Sequence, residues 1–556
     1  MKFSRRDLLI GTAGATAGIV FTPVPWKLLG DVSIWSQNWP WIPQPAHGPI
    51  ETTLSACTLC AAGCGMRVRM AAGFPVGISG VANHPLTKGA LCPLGYAAHQ
   101  LNWHPARLLQ VRHSGRASSW PEAQAALAAA CAEGPIAVVD GRPGRAASLT
   151  LETFAAKRNG SYQTVLGPET QALAPYAAWS GVPASALGYD LENARTIVSF
   201  GAPLLDGWGT PGRFTRLWSA RAAGQSDPQL RLIQIEPVLS HTAARAWRWV
   251  AVREGTQDAL AAALARVLVE EHLVKAQGPL PEMTLEQAAV QAGLPIAEIR
   301  DLAHAMVEHG PTVVITSDGD PAVAALNVLL GAIGTPGGIS LKSKVSPQHG
   351  AASTASAKFR ATLLDASVPW DLIPPTQGEV FRFAAWDGGG SKADWLLPSP
   401  GFLEELTDIP TAPTSATETY TIATNLLAQP QETQTAAQFL RKIDASLADV
   451  DKSIHARCEQ IFQVKLGTIY AGQTKPVSQF ESAAKMEEQL RKGGVWLGES
   501  PRNATLHCTL KTWPATSAPA SPTDWTSSWA PPVLPPLASK LYQESTVREA
   551  PAGRPA

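Results

Sequence analysis

Four of the seven cysteines are spaced so that they could bind one small inorganic group. The stretch "CTLCAAGC" contains Cys57, Cys60 and Cys64, and "GALCPLG" adds Cys92. A [4Fe–4S] cluster needs four thiolates around one cube, and a tightly curled loop can supply three of them. Structural zinc more often takes its ligands from two C-x2-C pairs. The spacing therefore favours one [4Fe–4S] cluster, with zinc or redox-active disulfides as the alternatives.

The residues around these cysteines support a tight turn. Gly63 and Gly65 flank Cys64 and would let the backbone pass close to the cluster. The odd number of cysteines argues against a complete disulfide framework. We interpret the remaining three as small, buried hydrophobic residues, namely Cys131, Cys458 and Cys508.

Length and charge limit the classes of function. The chain has 556 residues, which corresponds to roughly three or four domains. Lysine and arginine number 45, as do aspartate and glutamate, so the formal net charge is zero. No nucleic-acid partner is therefore predicted from the bulk charge of the chain.

The N-terminus resembles a twin-arginine export signal. Ser4, Arg5 and Arg6 are followed by an apolar run over residues 8–21, which is shorter than the roughly 20 residues needed to span a bilayer. The twin-arginine route carries folded proteins with their cofactors already inserted. We therefore expect export to the periplasm, with residues 1–30 acting as a signal or as a retained anchor.

The middle of the chain alternates between predicted strands and helices. A helical repeat of apolar residues occupies 257–272. Short apolar runs that predict buried strands lie at 136–140, 196–200, 232–236, 312–316 and 381–386. This alternation predicts an α/β fold with parallel sheets covered on both faces by helices.

Two residues at predicted strand ends could contact a nucleotide, because parallel sheets bind ligands at the carboxyl ends of their strands. Gly201 follows one strand, and Glu236 ends another. The Glu236 carboxylate could accept a hydrogen bond from a ribose hydroxyl. An equally good interpretation is that Gly201 only makes a turn and that Glu236 is solvated.

The cysteine region, "ACTLCAAGCGMRVRM" continuing to "GVANHPLTKGALCPLG", resembles the N-terminal domain of the molybdopterin-guanine-dinucleotide oxidoreductases. This family includes formate dehydrogenases, polysulfide reductases and dimethyl sulfoxide reductases. Downstream segments such as "SWPEAQAAL", "LNVLLGAIGTPGGI" and "ADWLLPSPGFLEE" are similar to the family in the same order. The resemblance covers most of residues 50–420. It implies a [4Fe–4S] domain followed by two doubly wound αβ domains.

The resemblance and the composition together predict the domain order. After the signal, we expect a cluster domain at 50–112, followed by the first part of one αβ domain at 113–180. A nucleotide-binding-like αβ domain is expected at 181–341. The chain should then return to the first αβ domain and add a helical segment at 342–490, and it should end in a Pro-rich strap at 491–556.

The sequence departs from the family at three places. Many relatives carry Lys or Arg two residues after the fourth cysteine, where this chain has Leu94. No cysteine lies between Cys131 and Cys458 to serve as the usual molybdenum ligand, and no motif singles out a substitute among Ser180, Ser185 and Asp190. The family's C-terminal β-barrel is expected to be truncated or absent, because too few patterned residues follow residue 494.

These departures favour a family member that keeps the cluster but lacks the molybdopterin guanine dinucleotide. Such a chain is similar to the molybdopterin-binding-like subunits of the menaquinone-reducing Qrc complex and the related subunits of alternative complex III. The resemblance implies a periplasm-facing subunit, without catalytic residues of its own, in a complex that reduces menaquinone with electrons from periplasmic cytochrome c. Its partners would be a multihaem cytochrome c, a ferredoxin-like iron–sulfur subunit and an integral membrane quinone-interacting subunit.

Two other functions remain open at this point. One is a working molybdenum or tungsten oxidoreductase with a non-cysteine ligand. The other is a binding module that keeps the guanine dinucleotide as a structural ligand. The histidines near the cluster motif are interpreted as structural, because the chain has no C-x-x-C-H haem attachment motif; they are His84, His99 and His104.

Overall fold

A computed structural model describes most of the chain. The described residues are 4–21, 48–165, 167–224, 228–275, 279–317, 319–342, 358–368, 378–387, 393–412, 414–498 and 506–514. Most of the predicted Pro-rich strap therefore lies outside them, as does most of the stretch between 343 and 377. The chain forms two compact units, one with residues 1–51 and 70–76 and the other with residues 52–69 and 77–556.

The α-helices within the described residues are α1 (Arg5–Phe21), α2 (Pro93–Ala97), α3 (Trp120–Glu133), α4 (Ala146–Lys157), α5 (Pro168–Gln171), α6 (Ala174–Ser180), α7 (Pro211–Arg221), α8 (Gln257–Glu270), α9 (Leu285–Ala292), α10 (Ile296–Glu308), α11 (Pro321–Leu329), α12 (Ala436–Ile443), α13 (Val450–Val464) and α14 (Ala483–Arg491).

The strands are β1 (Ile50–Ala56), β2 (Gly65–Ala71), β3 (Phe74–Gly80), β4 (Arg112–His113), β5 (Arg116–Ala117), β6 (Ile136–Asp140), β7 (Ser161–Thr164), β8 (Leu187–Tyr189), β9 (Thr196–Phe200), β10 (Arg231–Ile235), β11 (Arg248–Val250), β12 (Thr312–Thr316), β13 (Ile339–Leu341), β14 (Ala361–Leu364), β15 (Glu379–Ala384), β16 (Trp395–Pro398), β17 (Thr407–Ile409), β18 (Thr419–Ala423), β19 (Thr468–Ala471), β20 (Gln473–Pro476) and β21 (Val495–Leu497).

Helix α1 begins at the arginine pair and is held at its start by Ser4. The Asp7 amide donates to the Ser4 hydroxyl at 3.2 Å, and the Ser4 amide donates to the Asp7 carboxylate at 3.0 Å. This reciprocal pair satisfies amides that the first helical turn leaves without partners. Among the residues described, no helix combines the length and the hydrophobicity that crossing a bilayer requires.

A seven-stranded sheet, in the order β5-β4-β16-β15-β14-β6-β7, forms the first αβ domain. Strands β16, β15, β14, β6 and β7 run parallel, and β4 joins β16 in the antiparallel sense. Strand β6 is buried along its whole length, as expected for a strand with helices on both faces. The core on one side of this sheet includes residues of α3, α4 and α12.

A second, four-stranded parallel sheet has the order β11-β10-β9-β12. Helices α8 to α11 contribute to the core on one face, and α6 and α7 contribute to the core on the other. The predicted strands at 196–200, 232–236 and 312–316 correspond to β9, β10 and β12. Together with the first sheet, this arrangement confirms the predicted class of two doubly wound αβ domains.

The helical segment predicted at the end of residues 342–490 contains strands as well as helices. Helices α12, α13 and α14 do lie there, but β19 and β20 interrupt them. These two strands complete an antiparallel sheet in the order β17-β18-β21-β19-β20. Strand β20 is exposed at every position and has no apolar alternation, so the sequence offered no periodicity that would predict it.

Candidate iron–sulfur centre

The cysteine loop connects the end of β1 to the start of β2 and closes on itself. The Cys57 amide donates to the Cys64 carbonyl at 2.9 Å. This hydrogen bond closes the turn that carries Cys57, Cys60 and Cys64. Gly63 has a φ of +60°, and a Cβ atom at this position would lie 2.7 Å from the side chain of Ile409. Both the backbone conformation and the available space therefore require glycine here.

Gly65 serves the loop in a different way from the one predicted. Its φ is not in the left-handed region, but a Cβ atom there would lie 2.4 Å from the imidazole of His84. The close approach of His84 is therefore what requires glycine. The His84 ring is buried, and its Nδ1 atom accepts a hydrogen bond from the Thr87 amide at 3.2 Å. Burial lowers the pKa of His84 to about 4, so it is neutral at pH 7.

Cys92 reaches the same site from the start of α2. Its sulfur accepts a hydrogen bond from the Gly95 amide at 3.4 Å. Burial raises the pKa of Cys60 to about 11 and raises the pKa of Cys57 and Cys64 further. A thiolate at Cys92 also raises the pKa of the other three thiols. A Cβ atom on Gly212 would lie 3.0 Å from the Cys64 sulfur and 3.1 Å from the Ala90 carbonyl oxygen, so Cys64 lies beside the segment that leads to Cys92.

This donor set fits an iron–sulfur cluster. All four cysteines are free of disulfides, and burial makes the ionised form of Cys57, Cys60 and Cys64 unfavourable unless a metal compensates the charge. Within the described residues, no three His, Cys, Asp or Glu side chains are grouped so as to hold a single metal ion. In a [4Fe–4S] cube each thiolate binds a different iron atom, so the four cysteine sulfurs lie further apart than they do around a single metal ion. The ligand assignment of each cysteine stays a prediction.

The structure adds a cation that the motif did not indicate. Arg142 follows β6 and donates from one terminal nitrogen to the Leu59 carbonyl at 2.6 Å and from the other to the Thr58 carbonyl. Its positive charge lowers the pKa of Cys57 and of Cys60, against the larger effect of burial. Sequence separation concealed this contact, since Arg142 lies more than 80 residues from the loop that it holds.

Asp140 fixes the turn that carries Arg142. The Arg142 amide donates to the Asp140 carboxylate at 2.8 Å, and Arg145 forms ion pairs with Asp140 at 2.9 Å and with Asp365 at 2.8 Å. The hydroxyls of Ser148 and Tyr162 also donate to Asp140. Because this buried carboxylate accepts so many hydrogen bonds, the turn after β6 is rigid.

A cavity lies between the cysteine loop and the carboxyl ends of β6, β14, β15 and β16. Its volume is about 70 Å³. The charged residues in its lining are Arg142, Arg145, Arg382 and Glu405. Burial raises the pKa of Glu405 to about 7, although Arg145 and Arg142 lower it. The cavity is thus charged and next to the cluster loop.

Two of the three residues considered as substitute molybdenum ligands are held by hydrogen bonds within the fold. The Ser180 hydroxyl donates to the Tyr176 carbonyl at 2.6 Å. The Asp190 carboxylate accepts from the Asn193 side chain at 2.8 Å and from the Gly337 amide at 3.0 Å. Ser185 is exposed. Leu94 is half-buried on α2, two residues after Cys92.

The predicted nucleotide residues are both at strand ends, as the sequence indicated. Gly201 follows β9 with a φ of +71°. Glu236 follows β10 but is buried, with 1% of its surface exposed. Its carboxylate accepts from the Gln234 side chain at 2.8 Å and from the Ser240 amide at 3.3 Å. A ribose contact by Glu236 remains a prediction, and it would compete with these internal hydrogen bonds.

Two family models match the chain. The molybdopterin oxidoreductase Fe4S4 domain matches residues 50–102, and the molybdopterin oxidoreductase model matches residues 110–492. The second match alone covers more than half of the chain. The protein belongs to the molybdopterin oxidoreductase family, which confirms the resemblance drawn from the cysteine motif.

Individual relatives agree with this assignment. The chain is 30% identical to the menaquinone reductase, molybdopterin-binding-like subunit of Nitratidesulfovibrio vulgaris, over 80% of this chain and 72% of that protein. It is 26% identical to the thiosulfate reductase molybdopterin-containing subunit PhsA of Salmonella typhimurium, over 62% of this chain and 50% of that protein.

Among solved structures, acetylene hydratase from Pelobacter acetylenicus shares the fold with a TM-score of 0.58. The match covers 81% of this chain and 74% of that structure at 14% identity. An identity this low supports the shared fold alone.

Proposed function

We propose that the protein is the iron–sulfur subunit of a membrane-associated, quinone-linked respiratory complex and that it carries no molybdenum cofactor. A [4Fe–4S] cluster accepts and releases one electron at a time. In this proposal the cysteines of the loop and of α2 hold the cluster, and the αβ domains present it to neighbouring subunits. The chain transfers electrons but does not itself transform a substrate.

The contrast between the cysteine site and the adjacent cavity is the main support. Two of the four cysteines, Cys57 and Cys64, are buried and the other two are half-buried, whereas the cavity at the strand ends has a volume of about 70 Å³. Pockets that enclose drug-sized ligands have volumes of roughly 300–1,000 Å³. A pterin dinucleotide is larger and polyanionic, so its burial would require more room and many hydrogen-bond donors. Leu94 adds neither a charge nor a donor.

The relative in Nitratidesulfovibrio vulgaris is named as a subunit of a menaquinone reductase, which supports a role for this chain in a complex of several subunits. We propose the same type of complex here, with a multihaem cytochrome c, a ferredoxin-like iron–sulfur subunit and an integral membrane quinone-interacting subunit. Electrons would pass from periplasmic cytochrome c to menaquinone.

Metal analysis of the intact complex tests this proposal. We expect about four irons per chain from this site and far less than one molybdenum or tungsten. A stoichiometric amount of molybdenum or tungsten together with an extractable pterin would contradict the proposal. That result would instead support a catalytically active oxidoreductase with a non-cysteine ligand. The arginines at the cavity favour this second candidate, because cationic side chains suit a polyanionic cofactor.

We also propose that the protein reaches the periplasm by the twin-arginine route. The arginine pair at the start of α1 and the apolar residues that follow support this proposal. Replacing Arg5 and Arg6 together by lysine should leave the folded protein in the cytoplasm with its iron content unchanged. Cell fractionation with a periplasmic marker measures the outcome, and normal delivery of the double variant would contradict it.

A further inference from the structure

The side chain of Arg142 occupies the boundary between the cysteine loop and the cavity. One terminal nitrogen donates to the Thr58 carbonyl and the other to the Leu59 carbonyl, and both of these residues lie between Cys57 and Cys60. The same side chain lines the cavity. The planar guanidinium can make both contacts at once, whereas a lysine ammonium is a single point charge on a flexible chain.

The surrounding charges leave Arg142 available to act on the cluster. Arg145 is neutralised by its ion pairs with Asp140 and Asp365. Arg142 forms no ion pair with any described residue and contacts carbonyl oxygens instead. The nearby acidic groups that act on it from a distance include Asp365 and Glu405. Glu405 is partly protonated at neutral pH, so it compensates the guanidinium only in part.

We propose that the positive charge of Arg142 sets the reduction potential of the iron–sulfur centre and that its hydrogen bonds position the cysteine loop. Arg142 thereby supplies, from the first αβ domain, the positive charge that Leu94 on α2 cannot supply. This inference rests on the proposed cluster. Reduction adds one negative charge to a buried site, and a nearby positive charge stabilises the reduced form, particularly at the low effective dielectric constant of a protein interior. The two hydrogen bonds also fix the loop on which three ligands lie.

Three variants of the full chain separate the charge of Arg142 from its hydrogen bonds. Arg142→Gln removes the charge, and Arg142→Lys keeps the charge but removes the two-pronged contact. Arg67→Gln is the matched control, because Arg67 lies three residues after Cys64 on β2 but is exposed to solvent. For each variant, a redox titration followed by electron paramagnetic resonance gives the midpoint potential. Iron content and amide exchange of the loop are measured in parallel.

The proposal makes a different prediction for each variant. Arg142→Gln should lower the midpoint potential and speed amide exchange in residues 57–64. Arg142→Lys should keep a potential close to the wild-type value while its loop exchanges faster. Arg67→Gln should match the wild type in both measurements.

Several outcomes would overturn the proposal. One is an Arg142→Gln variant that keeps its iron at an unshifted potential, and another is an Arg67→Gln variant that shifts as much. If Arg142→Gln loses its iron, the Arg142→Lys variant distinguishes the two roles. Retained iron at the wild-type potential supports the role of the charge, and equal loss of iron from both variants refutes that role. The wild-type metal content, measured first, tests the proposed cluster separately, so failure of one idea is distinguishable from failure of the other.

Discussion

The carboxyl ends of the two parallel sheets differ in what their side chains contact. At the seven-stranded sheet, Arg142 extends from the turn after β6 to the carbonyls of the cysteine loop, and a charged cavity lies beside it. At the four-stranded sheet, Glu236 turns inward and its carboxylate is bound by Gln234 and Ser240. Both positions are where an α/β fold normally binds ligands.

At the end of the seven-stranded sheet, a side chain binds another region of the chain. At the end of the four-stranded sheet, the polar side chains mainly stabilise their own domain. A buried polar group that has all its partners inside the protein contributes to stability, and a ligand would have to replace those partners. Arg142 instead contributes both of its terminal nitrogens to a loop of a different region.

The largest expected effect is the loss of the cluster at the first site. Cys92→Ala removes the ligand that we predict at the start of α2, and three thiolates from one loop cannot complete the coordination of a four-iron cube. We expect anaerobically purified Cys92→Ala to lose most of its iron and the visible absorbance that bleaches on reduction. Cys131→Ala is the control, since Cys131 lies on α3 and should leave the iron content unchanged. Full iron content in Cys92→Ala would exclude Cys92 as a ligand.

The sequence predicted the parts of the molecule that are encoded locally. The runs that became β6, β9 and β12 are continuous and apolar, and the four cysteines form a motif with known spacing. The turn at Gly63 could also be predicted, because glycine tolerates a positive φ.

The remaining features depend on contacts that no local pattern encodes. Arg142 meets the cysteine loop only after the sheet has assembled. The requirement for Gly65 arises from His84, about twenty residues later in the chain. The inward orientation of Glu236 depends on the conformation of the segment that brings the Ser240 amide to it. Tertiary contacts of this kind override what propensity and spacing indicate.

A substitution at the second site sharpens the comparison. Glu236→Gln keeps the shape of the side chain but removes the charge that accepts both hydrogen bonds. Because this buried acceptor is weakened, we expect the free energy of unfolding to fall by about 1–3 kcal/mol. Denaturant unfolding measures the change, with the exposed Glu254→Gln as a control that should stay within about 0.5 kcal/mol of the wild type.

Guanine nucleotide should not stabilise either the wild type or the variant. Stabilisation of the wild type alone would restore Glu236 as a nucleotide-binding residue.

The smallest expected effect is a pH dependence at the first site. Burial raises the pKa of Glu405 from 4.5 to about 7, so between these values the folded protein holds a proton that the unfolded chain has released. The contribution of Glu405 to stability therefore decreases as the pH rises through this window, by at most about 1.4 kcal/mol per pH unit and by less because Glu405 is only half-buried. Glu405→Gln removes this dependence, since the amide carries no proton to lose. Its stability relative to the wild type should increase between pH 4.5 and 7 and stay constant above pH 8. Chemical unfolding at a series of pH values measures the difference. An unchanged difference across the window would mean that Glu405 is ionised in the fold, and the cavity would then carry a compensating negative charge next to Arg142.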